Sequence, residues 1–381
     1  MIYFDNSATT KPYKEVLESY IKVSNDFFGN PSSLHGLGGQ AEKLLSQARM
    51  QIANLLNIKP GELFFTSGGT ESNNMAVKGA ALMYKGRGKH LITTEIEHPS
   101  VNGAMEQLKD LGFEISYLPV DSTGRVKVEE LKSAIRDDTI LVSVMHVNNE
   151  VGTIQPIKEI GEVLKEYPKI LFHVDHVQGV GKVPLDFQEC GIDLCSISAH
   201  KFHGLKGTGA LFIREGLKLA PLLSGGNQEN RLRSGTENVP GLVAMAKALR
   251  MEFSNRTHYV DQMLSWNAHI RKTLGKIEGV AIHTPVSDSA PHILNFSISG
   301  IKAEVFVHSL EEKDIFVSTT SACSSKKKTP SKTLLAMGVP RPMAESAIRI
   351  SLSFDNTEQE AILAAAAIEE TARKLGRIMQ K

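Results

Sequence analysis

A lysine follows an apolar run in the stretch Ser196-Ile197-Ser198-Ala199-His200-Lys201-Phe202-His203-Gly204. The run from Ile192 to Ile197 predicts a buried strand, and charged side chains rarely follow such strands without a task. Gly204, Gly207 and Gly209 permit a tight turn before a second apolar run, Ala210 to Ile213. Upstream, Ile170 to Val174 predicts another strand, which ends in Asp175, His176, Val177 and Gln178. A further junction joins Leu63-Phe64-Phe65-Thr66 to Ser67-Gly68-Gly69-Thr70-Glu71-Ser72-Asn73-Asn74. A strand, a Gly-Gly turn and a helix N-terminus make an anion site, because unpaired N–H groups and the helix dipole face the ligand. The glycine spacing is neither that of a P-loop nor that of a dinucleotide fingerprint. An aspartate, a lysine and a phosphate-cradling turn together suit pyridoxal phosphate (PLP). The lysine forms the Schiff base, the aspartate keeps the pyridine nitrogen protonated, and backbone amides hold the phosphate.

The elements that must position these residues alternate along the chain. Strands are predicted at His90 to Thr94, Phe113 to Leu118, Ile140 to Met145 and Ile170 to Val174. Helices are predicted at Val101 to Leu108, Val128 to Ile135 and Ile157 to Leu164, after earlier ones opened by Pro12 and spanning Gly38 to Leu56. This order favours a mostly parallel sheet covered on both faces, with ligands at the strand C-terminal ends. Polar clusters fall at four such ends: Glu97-His98-Pro99, His146 to Glu150, Asp175 to Gln178 and Ser198 to Lys201. Beyond a helical segment from about Pro240 to Lys276 the pattern becomes α+β. Strands are expected at Val280 to His283, His292 to Ser297, Ile315 to Val317 and Ala347 to Leu352, with helices at Ala303 to Glu311 and Lys332 to Met337. Thr357-Glu358-Gln359-Glu360 is a capping-box pattern opening a last helix.

The 381 residues suffice for a large α/β domain and a smaller one. A formal net charge of +1 gives no basic footprint for nucleic acid. No apolar run approaches membrane-spanning length and no signal-peptide pattern opens the chain, so the expected location is cytoplasmic. Three cysteines without CxxC spacing argue against a disulfide framework or a zinc site. Cys190 and Cys195 flank apolar residues and are expected in or near the core.

With these stretches in view, the chain resembles the cysteine desulfurases of the PLP-dependent aminotransferase superfamily, fold type I, class V. The likeness runs from Tyr3-Phe4-Asp5-Asn6-Ser7-Ala8-Thr9-Thr10 to Ile348-Arg349-Ile350-Ser351-Leu352. Between them lie the Thr66 to Asn74 stretch, Glu97-His98, His146 to Glu150, His200-Lys201 and Arg233-Ser234-Gly235-Thr236-Glu237-Asn238. The resemblance implies a large domain with a mostly parallel seven-stranded sheet, residues 12–258. It implies a smaller α+β domain from residues 1–11 and 259–381, which carries the catalytic cysteine loop. It further implies Lys201 as the Schiff-base lysine, Asp175 as partner of the pyridine nitrogen and Gln178 as donor to the phenolic oxygen. Gly69, Thr70, Ser198 and His200 would hold the phosphate, with Thr236 supplied by a second subunit of a homodimer. His98 would stack on the ring and move protons, and Asn149 and Arg349 would hold L-cysteine, the arginine by a bidentate grip.

Cys323 lies in Ser321-Ala322-Cys323-Ser324-Ser325-Lys326-Lys327-Lys328-Thr329-Pro330, a polar stretch that predicts an exposed loop. A cysteine outside apolar surroundings invites a nucleophile reading, and the resemblance makes it the residue that takes sulfur. The sulfur then passes to an acceptor protein, for iron–sulfur cluster assembly or for tRNA or cofactor thiolation. The alternatives are another fold-type-I PLP enzyme, an aminotransferase or selenocysteine lyase, and a non-catalytic sulfur-relay scaffold. Three departures stand out. His176 replaces the family's usual small residue, Thr320 replaces a glycine, and Lys326 to Lys328 is unusually basic.

Overall fold

The computed structural model describes residues 1–254, 256–319 and 330–379. Its strands are β1 (Ile2–Tyr3), β2 (Leu63–Thr66), β3 (His90–Thr94), β4 (Glu114–Leu118), β5 (Thr139–Met145), β6 (Leu171–Asp175), β7 (Leu194–Ser198) and β8 (Gly209–Ile213). There follow β9 (Val280–Ile282), β10 (Ile293–Ile298), β11 (Ile315–Phe316), β12 (Ser318–Thr319) and β13 (Ala347–Ser351). The helices are α1 (Lys14–Asp26), α2 (Gly36–Leu55), α3 (Gly69–Tyr84), α4 (Pro99–Asp110), α5 (Val128–Ala134) and α6 (Ile157–Leu164). They continue with α7 (Val239–Ser254), α8 (Arg256–Leu274), α9 (Ala303–Glu311), α10 (Lys332–Ala336), α11 (Arg341–Glu345) and α12 (Glu358–Met379).

Seven strands form one sheet in the order β2-β8-β7-β6-β5-β3-β4. Only β8 runs against its two neighbours; the other pairings are parallel. This is the α/β architecture that the alternating pattern predicts. Every residue of β5, β6 and β7 is buried, because helices cover both faces, and the sequence accordingly reads there as near-continuous apolar runs. One face packs Phe172, Val174 and Ile197 against Val16, Leu45, Ile160 and Met245. The other packs Leu141, Leu171 and Leu194 against Met75, Val101 and Met105. Parallel pairing puts the C-terminal ends of β3, β5, β6 and β7 on one edge, and so gathers all four polar clusters.

A second core contains Phe4, Met263, Trp266, Phe296, Phe306, Ile348 and Ile368. Its sheet has the order β12-β13-β10-β9, antiparallel throughout. The N-terminal arm joins this part: β1 pairs with β11, and Asp5 bridges to Ser351. The helical segment expected from about Pro240 to Lys276 is present on both sides of residue 255, as α7 and α8, and its halves serve different cores. Leu242, Met245 and Leu249 of α7 pack under the large sheet, whereas Met263, Trp266 and Ile270 of α8 pack in the second core. The capping box is present: Thr357 Oγ1 accepts the Glu360 N–H at 3.2 Å, and Glu360 Oε2 accepts the Thr357 N–H at 3.0 Å. Cys190 and Cys195 are buried. Among the described residues, no helix is long and apolar enough to cross a membrane.

Candidate active site

Lys201 and Asp175 come together because β6 and β7 are parallel neighbours, with Asp175 opposite Ser196. Beyond Ser198 the chain makes one 3-10 turn, Ala199–Lys201, which carries the lysine back over the strand end. Lys201 Nζ donates to the carbonyls of Ser7 and of Ala8, the latter at 2.9 Å. Gln178 Nε2 donates to the same Ser7 carbonyl at 3.0 Å. The polar turn Asn6 to Thr10 thus closes the site from above. It is tied down by Thr10, whose N–H and hydroxyl both donate to the His200 carbonyl, at 2.8 and 3.0 Å.

Asp175 is 5 % exposed. Its Oδ2 accepts from Asn73 Nδ2 at 2.7 Å and its Oδ1 from the Val177 N–H at 3.0 Å. Asn73 Nδ2 also donates to Ser100 Oγ at 2.9 Å, and the Ser100 hydroxyl lies 2.7 Å from His98 Nδ1. That ring nitrogen also accepts the Ser100 N–H at 3.2 Å, which caps α4. An accepting Nδ1 leaves the proton of a neutral imidazole on Nε2. Burial holds His98 below the ordinary histidine range; the charge of Lys201 adds to this and that of Asp175 opposes it. A neutral His98 therefore presents an N–H donor at Nε2. Asn73 and Ser100 were not singled out from the sequence as site residues; the only signal was the motif that contains Asn73.

At the α3 N-terminus, Gly68 adopts φ 146°. A Cβ on Gly69 would stand 2.9 Å from Val177 Cγ2, so only glycine fits there without displacement. Gly209 has no room either, since its Cβ would meet Gly68 Cα at 2.6 Å. This close approach seats the Gly-Gly turn against β8, beside Ser198. Ser198 Oγ is buried without a hydrogen-bond partner among the described residues. His200 Nδ1 lies 3.2 Å from Thr9 Oγ1, and burial with Lys201 and Lys206 nearby lowers its pKa to about 4. A helix N-terminus, an unspent hydroxyl and a neutral imidazole donor fit a phosphate. The buried Asp175 and the lysine beside it fit the ring of PLP. Arg233 pairs with Glu71 at 2.8 Å and so offsets an acidic side chain in the first turn of that helix.

Arg349 on β13 is buried, and it reaches the site from the second core. It donates to the Asn149 carbonyl at 2.9 Å and to Asp5 Oδ1 at 3.0 Å, while its Nε is buried with no hydrogen-bond partner among the described residues. Thr236 is exposed. Cys323, Thr320 and Lys326 to Lys328 lie outside the described residues. His176 is absorbed by packing: its Nδ1 lies 2.8 Å from that of His146, and its ring meets Phe187 edge-on. Glu97, between β3 and the site, accepts from Thr94 Oγ1 at 2.8 Å and from the Met145 N–H at 2.9 Å. Burial pushes its carboxyl up to about 8. Glu97 stands in a matching stretch of sequence, but no sequence signal marked its protonation.

The fold and this constellation define a PLP-dependent enzyme of the α/β type. The chain belongs to the class-V aminotransferase family, which matches residues 2–362. It is 49 % identical over 380 residues to a NifS/IcsS protein homolog of Lactobacillus delbrueckii subsp. bulgaricus, covering 99 % of each chain. It is 44 % identical to the cysteine desulfurase IscS of Dictyoglomus turgidum, covering 98 % of this chain and 95 % of that one. A solved NifS-like protein superposes with a TM-score of 0.92 at 41 % identity, over 97 % of this chain and 98 % of that one.

Proposed function

We infer that the chain is a cysteine desulfurase, which converts L-cysteine to L-alanine and passes the sulfur through a persulfide on Cys323. The observation that carries the reading is the meeting of Lys201 with the buried Asp175 at neighbouring strand ends, beside an unspent Ser198 hydroxyl at a helix N-terminus. The names of the relatives favour desulfurase chemistry over an aminotransferase, a selenocysteine lyase or an inactive scaffold.

Bound PLP supplies an electron sink that stabilises negative charge at the substrate α-carbon. In this reading Lys201 would carry the cofactor, and its Nζ would take the substrate α-proton. The Asp175 carboxylate, fixed by Asn73 and the Val177 N–H, would hold the ring nitrogen, and Gln178 would hold the phenolic oxygen. Gly69, Thr70, Ser198 and His200 hold the phosphate, with Thr236 of the partner subunit in a homodimer. His98 would lie against the ring and help move protons, with Nε2 as its donor atom. Asn149 and Arg349 hold L-cysteine, with Arg349 Nε still free to donate to its carboxylate. The Cys323 thiolate attacks the substrate sulfur. The carbon–sulfur bond breaks, sulfur stays on Cys323, and the carbon fragment is protonated to alanine. A domain division into 12–258 and 1–11 with 259–381 lets Arg349 approach from the smaller unit. We place the enzyme in the cytoplasm, delivering sulfur to an acceptor protein for iron–sulfur cluster assembly or thiolation.

The test is product analysis after adding L-cysteine to the PLP-loaded enzyme. Alanine should appear with one sulfur atom added to the peptide containing Cys323. A keto acid with an unmodified peptide would overturn the reading.

A further inference from the structure

Behind the active-site turn lies a group of ionisable side chains that the chemistry above does not use. Lys182 is 4 % exposed, and its Nζ donates to the main-chain carbonyl of Lys201 at 2.9 Å. Glu252 on α7 is fully buried, with Oε2 at 3.9 Å from that ammonium. Its Oε1 accepts from the Tyr13 hydroxyl at 3.1 Å. His203, two residues beyond Lys201, stacks on Tyr13 with ring centroids 4.2 Å apart. Gly181 takes φ 75°, where a Cβ would stand 3.1 Å from Glu252 Oε2. Charges taken out of water are costly even when paired, so a buried ammonium gripping this particular carbonyl points to a role beyond packing.

We propose that Lys182 is a positioning residue for Lys201. Its ammonium anchors the Lys201 main chain while the Lys201 side chain exchanges partners, and Glu252 is the buried counter-charge that keeps Lys182 in place. The proposal rests on Lys201 being the cofactor lysine.

The experiment compares Glu252→Gln, Lys182→Met/Glu252→Gln and Lys182→Gln/Glu252→Gln. The double variants remove both charges together, so neither leaves one stranded. PLP affinity is measured by titrating cofactor-free protein, and kcat and KM for L-cysteine on the reloaded enzymes. Glu252→Gln keeps the Lys182 donor but removes its counter-charge, and should lower PLP affinity by about threefold, less than a variant without the donor. Lys182→Met/Glu252→Gln should lose about tenfold or more in PLP affinity and in kcat, with KM little changed. Lys182→Gln/Glu252→Gln restores a neutral donor and should recover much of the loss. Equal affinity and kcat in the Met and Gln double variants would overturn the proposal. Should the Met variant fail to fold, Lys182→Leu/Glu252→Gln takes its place, and borohydride fixation rates at Lys201 identical to those of Lys182→Gln/Glu252→Gln would overturn it as well. Borohydride treatment of the unsubstituted enzyme keeps the two readings apart. Fixation on a peptide without Lys201 sinks the cofactor assignment itself, whereas fixation at Lys201 leaves only the role of Lys182 in question.

Discussion

Asn73 and Asp175, 102 residues apart in sequence, are joined by a 2.7 Å hydrogen bond from the amide to the carboxylate. The same amide reaches Ser100, whose hydroxyl meets His98, so one polar chain fixes both the expected ring-nitrogen partner and the expected proton carrier. Hydrogen bonds to charged groups contribute about 1.5–3 kcal/mol. Asn73→Ala is therefore expected to weaken PLP binding by roughly tenfold or more. Equilibrium titration of cofactor-free protein checks this, and unchanged affinity would remove Asn73 from the site.

Arg349 holds two partners and keeps one buried donor unspent. A lysine cannot reproduce its planar fork. Arg349→Lys should raise the KM for L-cysteine by about tenfold or more while leaving the bound PLP content unchanged. Steady-state kinetics beside an absorbance spectrum give both quantities. An unaltered KM would exclude Arg349 as the carboxylate ligand.

Substitution should separate the roles of Lys201 and Cys323. Cys323→Ser should bind PLP and show the spectral response to L-cysteine, yet release no alanine, since a hydroxyl cannot accept sulfur. Lys201→Ala should fail earlier, lacking both the covalent link and the base that removes the α-proton. Borohydride should fix the cofactor to the Lys201 peptide, and labelling at Lys206 would refute the assignment. Alanine formation at the normal rate by Cys323→Ser would rule out the persulfide route.

Glu97 makes stability depend on pH in a definite direction. Burial raises its folded value to about 8, above the ~4.3 of an unfolded glutamate. The folded state therefore holds the extra proton, and the associated stability is complete below the unfolded value and lost as pH rises through about 8. Glu97→Gln removes this dependence. Thermal unfolding between roughly pH 6 and 9 should show the unsubstituted protein losing ground to the variant as pH rises. Parallel curves would show that Glu97 does not titrate there.

Gly179 and His176 should be strongly coupled. A Cβ at Gly179 would stand 2.6 Å from His176 Cε1 and 2.7 Å from His146 Nδ1. Gly179→Ala should cost about 1–3 kcal/mol through overpacking. His176→Ala should be destabilising alone, because it opens a void and leaves His146 without its partner. Together the two changes should cost less than their sum, and a double-mutant cycle by denaturant unfolding measures the difference. Additive values would show that the ring does not occupy this space.

Much of the site was legible in the sequence. Apolar runs ending in Asp175, Lys201 and the His146 to Glu150 cluster are local patterns, and parallel βα alternation requires such ends to share an edge. The Gly-Gly turn at Gly68 and Gly69 and the capping box at Thr357 were readable for the same reason, since each acts within a few residues. Elements as short as α11 and β12 carry no period to detect. The helical segment from Pro240 to Lys276 was legible, but not the change of core between α7 and α8, because periodicity says that a face is apolar, not which core receives it. Tertiary structure alone decided that the Ser7 carbonyl takes both Lys201 and Gln178, that Arg349 reaches Asp5 and Asn149, and that Lys182 grips the main chain of Lys201. It also decided which groups are charged. Glu97 and His98 stand side by side in sequence, yet burial raises the pKa of one and lowers that of the other. Sequence fixes which side chains are present and their local periodicity, whereas partners and proton affinity depend on solvent exclusion and on contacts across more than a hundred residues.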